Sequence, residues 1–365
     1  MKISDLTREL ELFAPPVLQE PYDNAGLLTG DSFDECTGVM VTLDVTEPVI
    51  REAVEKNCNL VVAHHPIIFK GLKKINANEY VGATVISAIK NDVAIYAAHT
   101  NLDNILHGVN AAIASKLSLQ QCRILLPATG HLAKLFTFVP AQHLEKVRDA
   151  LFNAGGGVIG NYSECSFSSE GTGTFRPGTG ARPFSGELNK RTYENEVRLE
   201  IQFPGWLQQE MLSALRASHP YEEIAFEIIL TANRNPAVGS GLVGELEKSC
   251  TETEFLATLQ SAFRTKAIRH SPLSGRKIKK VALCGGAGSF LISKALQSSA
   301  DVFVTADLKY HEFFEAHGRM LLADIGHFES EQFTIDLLAE FLQQKFPNFA
   351  VLKSEIITNP VHYFL

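Results

Sequence analysis

The chain has 365 residues, is 45% hydrophobic and carries a formal net charge of −8. That length points to more than one domain, and the negative balance gives no general attraction for nucleic acid or an anionic membrane surface. No apolar run approaches the roughly 20 residues of a membrane helix, the first residues, MKISDLTRELELF, contain no apolar signal core, and the six cysteines are scattered without a CxxC pair, so the expectation is a cytoplasmic protein with reduced thiols.

From Met1 to about Leu126 helix and strand patterns alternate. ISDLTRELELFAP has helical apolar spacing, TGVMVTLDV is an apolar strand, EPVIREAVEKNC an amphipathic helix, NLVVAHHPIIF a strand with a polar end, ATVISAIKND a helix and VAIYAAHTNLD a strand again. Strands that are almost wholly apolar and separated by helices predict a parallel-rich sheet covered on both faces. Between about 130 and 231 the pattern changes. KLFTFVP reads as a strand and AQHLEKVRDALFNAG as a helix. A Gly/Ser/Thr-rich stretch, SECSFSSEGTGTFRPGTGARPF, is too polar for core and reads as a mobile loop or disordered connector. EVRLEIQFP, WLQQEMLSALRASHP and EEIAFEIILT then read as strand, helix and strand. The order β-α-(β)-β-α-β is ferredoxin-like. After about Val238 the first pattern returns, with KKVALCGGAGS, DVFVTADL and RMLLADIGH as strands, a long helix ESEQFTIDLLAEFLQQKF, and a last strand FAVLKSEII. The predicted fold is a split three-layer α/β domain, residues 1–127 and 236–365, around a parallel-rich sheet, interrupted at 128–235 by an inserted ferredoxin-like (α+β) domain.

Three of the predicted strands end in groups that can bind metal: His64 and His65 in VVAHHPIIF, His99 and Asp103 in YAAHTNLDN, and His327 and Glu331 in LLADIGHFESEQF. Functional crevices of open α/β sheets lie beyond the carboxyl ends of strands, so clusters far apart in sequence can converge there. His327 and Glu331, at i and i+4, share one face of a helix start. Imidazoles with carboxylates suit Zn, Fe, Mn or Ni. Spacing alone leaves metal ligation and hydrogen-bonded core histidines both open. The adjacent pair before Pro66 tilts toward ligation, because in a continuing strand one of the two rings would point into the core. CGGAGS, between a strand and a helix, has two open roles, a tight turn or an anion cradle at a helix N-terminus. Asn24 and Gly26 are candidates for the site floor.

Five motifs in one order, YDNAGLLTG, HHPIIF, HTNLDN, GGAGS and GHFESE, make the chain resemble the GTP cyclohydrolase I type 2-like family, also called NGG-interacting factor three-like; SHPYEE makes the insert similar to the PII/CutA-like domain of longer bacterial members. The resemblance implies a site of two divalent metals, zinc or iron with manganese or nickel as alternatives, held by His64, His65, Asp103, His327 and a bridging Glu331. It implies a metal-dependent hydrolase acting on a nucleotide or phosphoester, with His99 or His311 moving a proton. It also implies self-association, as a hexamer. Nucleic acid enters as a partner only if a local basic patch exists, and a membrane does not enter. The alternative is a non-enzymatic metal-binding scaffold or regulatory interaction protein. TADLKYH departs from the family pattern, with Ala306 where a glycine is common, which puts a close approach of substrate to that backbone in doubt.

Overall fold

A computed structural model describes residues 1–364. It divides into two compact units, one made of 1–127 with 237–365 and the other of 128–236.

In the first unit, strands β1 (Gly26–Thr29), β2 (Val39–Thr42), β3 (Leu60–Ala63), β4 (Ala94–Ala97) and β5 (Gln120–Thr129) come from the N-terminal part. The second unit contributes β6 (Leu132–Pro140), β7 (Phe167–Phe175), β8 (Thr192–Pro204) and β9 (Phe226–Leu230). The C-terminal part of the first unit supplies β10 (Arg234–Thr251), β11 (Arg269–His270), β12 (Lys277–Ala287), β13 (Val302–Ala306), β14 (Leu321–Asp324) and β15 (Val351–Lys353).

Instead of the single parallel-rich sheet expected from the sequence, the first unit contains two sheets, ordered β1-β4-β3-β2-β15 and β11-β14-β13-β12-β10-β5. Each half supplies its own parallel trio: β2, β3 and β4 pair in parallel register, and so do β12, β13 and β14. Every residue of β2, β3, β4, β13 and β14 is buried, as strands covered on both faces require. The halves are interlocked. β15, near the C-terminus, adds in parallel to β2, while β5, from the N-terminal half, closes the other sheet beside β10.

One face of the first sheet packs Met40, Val61 and Ile95 against Val49, Ile50 and Ala53 of the helix Glu47–Glu55 and Val85 and Ala88 of the helix Tyr80–Lys90. Thr46 starts the first of these helices, its side chain accepting from the Val49 N–H. Fully burying each such aliphatic side chain is worth about 1.5–3 kcal/mol, so the carboxyl ends of the strands stand on a rigid base.

In the second unit the sheet order is β7-β8-β6-β9, all neighbours antiparallel. The helices Leu144–Asn153 and Gln208–Ser218 cover it through Val147, Leu151, Met211 and Leu215, packed on Leu135, Leu199, Ile201 and Phe203. The first part of the Gly/Ser/Thr-rich stretch is not a loop. Phe167–Phe175 is strand β7, in continuous register with β8 from Phe167 opposite Glu200 to Phe175 opposite Thr192.

Candidate metal centre

Each group of the site stands just beyond a strand of the first unit. His64 and His65 follow β3, His99 follows β4, and Asp103 closes the one-turn helix Thr100–Asp103. His327 and Glu331 are the first and last residues of the short helix that follows β14. These six side chains form three overlapping groups able to hold a metal ion: His64, His65 and His99; His65, His327 and Glu331; His64, Asp103 and Glu331.

Glu331 is central, and its two oxygens face different partners. Oε1 lies 3.8 Å from His64 Nε2, which is itself 3.7 Å from Asp103 Oδ1. Oε2 lies 2.9 Å from His65 Nε2 and 3.1 Å from His327 Nε2.

All four imidazoles present Nε2 to this cluster because Nδ1 is engaged elsewhere. His64 Nδ1 meets the Ala98 carbonyl at 2.8 Å, His65 Nδ1 meets Asp44 at 2.7 Å, His99 Nδ1 meets Asp23 at 2.7 Å, and His327 Nδ1 meets Asp307 at 2.6 Å. An acceptor on Nδ1 places the proton there and leaves Nε2 with a lone pair directed at a metal.

Burial opposes charge on His65 and His327, yet Asp44 and Glu331 push the His65 pKa up to about 9, and Asp307 and Glu331 push that of His327 up to about 11. On His64 burial dominates and lowers the pKa. Burial also opposes ionisation of Glu331, but the neighbouring imidazoles of His327, His64 and His65 hold its carboxyl well below the usual range. Asp103 goes the other way: burial first, then the Glu331 charge, raise it well above an ordinary carboxylic acid. A carboxylate oxygen buried beside a second carboxylate, with no hydrogen-bond donor, is relieved either by a proton or by a cation.

The orphaned atoms supply the test of fit. Among the buried side-chain atoms without a hydrogen-bond partner are His64 Nε2 and Asp103 Oδ1, which face each other within the cluster. Buried polar atoms are rarely left unpaired. Two acceptors converging on one point, in a nitrogen and oxygen donor set, match divalent cation ligation.

The family model described as Duf34/NIF3 (NGG1p interacting factor 3) matches residues 1–360. The chain belongs to the Duf34/NIF3 family. A curated relative from Bacillus subtilis (strain 168), named "GTP cyclohydrolase 1 type 2 homolog", is 40% identical, the match covering 96% of this chain and 95% of the relative. Among solved structures, a Bacillus cereus protein related to NIF3 is 35% identical, with a TM-score of 0.89 and coverage of 100% of this chain and 99% of that one. A Staphylococcus aureus protein superposes with a TM-score of 0.77 at 31% identity, over 100% of this chain and 99% of that one.

In this Duf34/NIF3 chain the glycines of GGAGS make room for Glu331. Gly286 has φ +59°, and a Cβ there would lie 2.4 Å from Glu331 Oε1. Of the two roles open to this turn, a tight turn fits better than an anion cradle, because three of its amides are already spent. Gly285 N–H donates to Asn110 Oδ1, Gly286 N–H to Ser330 Oγ and Gly288 N–H to Thr305 Oγ1, each at 3.0 Å. Cys284 just before it is a buried thiol whose pKa is raised, by burial first and then by Asp103 and Glu331, so it offers no thiolate.

Three carboxylates escaped the sequence reading: Asp23, Asp44 and Asp307. Burial opposes the ionisation of Asp23, but His99 and Thr100 hold its pKa at about 2. Asp44 and Asp307 are likewise lowered. For Asp44 burial opposes this and His65 and Thr358 prevail, whereas for Asp307 the His327 hydrogen bond leads. Asn24 does not form the site floor; its side-chain amide donates to the Ile68 carbonyl at 2.6 Å, while Gly26 sits in β1. Ala306 is fully buried in β13, paired with Ala287. His311 is not brought to the cluster. It is exposed, with its ring against Tyr310 and Phe314.

A cavity of about 230 Å³ opens beside Asp103, His327 and Glu331, with Tyr22, Phe290 and Glu20 in its walls. Among the described residues no helix is long and apolar enough to cross a membrane.

Proposed function

We propose that His64, His65, His99, Asp103, His327 and Glu331 hold two divalent cations and that the chain is a metal-dependent hydrolase acting on a nucleotide or phosphoester. The observation that carries this is the division of labour at Glu331, with Oε1 turned toward His64 and Asp103 and Oε2 toward His65 and His327. A carboxylate so placed would serve two ions, and six donors shared between them would leave positions open for water and substrate. Zinc or iron suits imidazole with carboxylate, manganese or nickel less closely. When bound, paired divalent cations acidify water and polarise an electrophilic oxygen.

The protein's own part is to aim and to exclude. Asp23, Asp44 and Asp307 fix three rings through Nδ1. The exposed rings of Tyr22 and Phe290 flank the cavity and suit a flat heterocycle. The curated relatives' name favours a purine nucleotide over a simple phosphoester. Glu20 lies in the same cavity outside the donor cluster, its Oε1 accepting from Asn104 Nδ2 at 3.1 Å, and is placed to take or give a proton.

The second unit supports a narrower reading, that residues 128–235 are a ferredoxin-like insert of the PII/CutA-like kind, through the order β7-β8-β6-β9 with two helices on one face. A homohexamer is proposed on family resemblance alone, and light scattering that gives a monomer mass would remove it. A separate regulatory unit is what a scaffold rather than an enzyme would also carry, so turnover decides between them. The experiment is metal analysis of purified protein, followed by incubation of metal-replete chain with GTP and a panel of nucleotides and phosphoesters, with Glu331→Gln as control. Two equivalents of metal and a product lost in Glu331→Gln support the proposal. Fewer than two equivalents under every divalent metal overturns the dinuclear site, and absence of product moves the reading to the scaffold.

A further inference from the structure

The second unit contains a cavity of about 500 Å³ that none of the metal chemistry uses. That volume lies in the range of small-molecule sites, roughly 300–1,000 Å³. Its walls are the end of β7, the loop after it, β8 and the turn after the helix Gln208–Ser218.

The loop is built, not loose. Asn189 N–H donates to the Pro177 carbonyl at 2.7 Å, Arg182 N–H to Glu222 Oε1 at 2.7 Å and Ser185 Oγ to Glu194 Oε2 at 2.5 Å. These bonds fold the second part of the stretch expected to be a mobile loop or disordered connector into a wall.

The chemistry of the enclosure is specific. Tyr221 forms its centre, with the Phe184 ring 5.9 Å and the Phe175 ring 6.4 Å from it. His219, buried behind, holds the turn: its Nδ1 accepts from the Tyr221 N–H at 3.1 Å and its Nε2 meets the Phe138 carbonyl at 3.1 Å. The Tyr221 hydroxyl donates to Glu196 Oε1 at 2.7 Å. The other oxygen of Glu196 rests over Gly173, where a Cβ would lie 1.9 Å from Oε2. A carboxylate is thus seated among aromatic rings by a tyrosine and by the absence of a side chain. Glu222 and Glu223 add negative charge at the lining, and Arg176, exposed, is its one cation.

Aromatic faces carry negative electrostatic potential, and a cage of them beside a carboxylate recognises cations that are too weakly hydrated to prefer water. We propose that this cavity binds a small organic cation, an alkylated amine or quaternary ammonium, enclosed by Phe175, Phe184 and Tyr221 and neutralised by Glu196. Arg176 at the rim can meet a carboxylate, so zwitterions of this kind fit as well. The site is independent of the metal centre, and its failure would leave the proposed hydrolase untouched.

The test is calorimetric titration of the full chain with choline, glycine betaine, the neutral choline isostere 3,3-dimethylbutan-1-ol, and inorganic phosphate. Choline or betaine should bind at least about tenfold more tightly than the neutral isostere, the margin expected of a desolvated cation among rings. Glu196→Gln should remove that margin while leaving isostere binding and metal content unchanged. Gly173→Ala, which displaces the same carboxylate without altering it, should do the same and serves if Glu196→Gln is unstable. Equal binding of choline and its isostere would reduce the cavity to an apolar slot and overturn the proposal. Phosphate binding in preference to choline, or no binding of either cation at millimolar concentration by a protein with an intact thermal transition, would overturn it too.

Discussion

Gly286 and Glu331 are so close that a methyl group on the glycine would sit 2.4 Å from the Glu331 carboxylate, and Gly286 is in addition left-handed at φ +59°. The contact joins the end of β12 to the helix that carries His327. Alanine at 286 costs about 1–2 kcal/mol for its backbone alone. The glutamate end can move, so the protein should still fold, with Oε1 pushed away from His64 and Asp103. Gly286→Ala is therefore expected to weaken metal binding at least about tenfold with every donor residue intact. Metal competition titrations read this directly, and unchanged affinity would show that Oε1 is not a ligand.

Asp307 acts through His327. Asparagine at 307 offers an amide in place of a carboxylate, so the ring is free to adopt the other tautomer or to turn. Asp307→Asn should cost roughly 10–100-fold in metal affinity. Asp44→Asn should do the same through His65. Stoichiometry should return at high metal concentration, unlike in His327→Ala, which removes the donor; a double titration of the two variants separates the outcomes.

The donors were legible because apolar strand runs ended abruptly in His64-His65, His99 and, after a glycine, His327. A single imidazole at such an end also reads as a hydrogen-bonded core residue, and it was the adjacent pair His64-His65 and the recurrence at three strand ends that pointed to a site. Asp44 and Asp307 obeyed the same rule, each just past the end of a strand, while Asp23 lies shortly before β1, and a lone aspartate at any of these places also looks like an ordinary turn residue. Strand β7 was hidden because nearly all its residues are exposed, so no apolar alternation marks it. The number of sheets was hidden for a different reason. All-apolar strands say that both faces are covered, not which neighbour each strand takes, and each half closes a parallel trio of its own, so one pattern yields two sheets. GGAGS left a tight turn and an anion cradle both open until the partners of three of its amides, Asn110, Ser330 and Thr305, were known, and all three are remote in sequence.

Glu20 is the carboxylate of the cavity that the donor cluster leaves free. If it carries a proton in the proposed hydrolysis, Glu20→Gln should lower kcat by roughly 10²–10⁴-fold. Metal content should be that of the wild type, which separates this variant from Glu331→Gln. A loss of metal, or a rise in KM with kcat unchanged, would assign Glu20 to positioning rather than to proton transfer.

Glu52 ties the two ends of the first unit together, and its contribution should be visible in acid. It is buried in the helix Glu47–Glu55. Oε1 accepts from Lys56 Nζ at 2.8 Å and from the Glu355 N–H at 2.9 Å, and Oε2 accepts from Ser354 Oγ at 2.5 Å. Burial opposes its ionisation, but these donors outweigh burial and lower its pKa below 4.5. A carboxyl whose folded pKa is depressed stabilises the protein above its unfolded pKa and loses that stabilisation as pH falls through the folded value. Glutamine keeps the shape and one acceptor but has no charge at any pH. Glu52→Gln should therefore be less stable than wild type by about 2 kcal/mol at neutral pH, the scale of hydrogen bonds to a charged group. The gap should narrow as pH falls below 4.5, because the wild type alone titrates. Urea denaturation at a series of pH values measures it, and a gap that stays constant into strong acid would show that Glu52 acts through packing rather than through its charge.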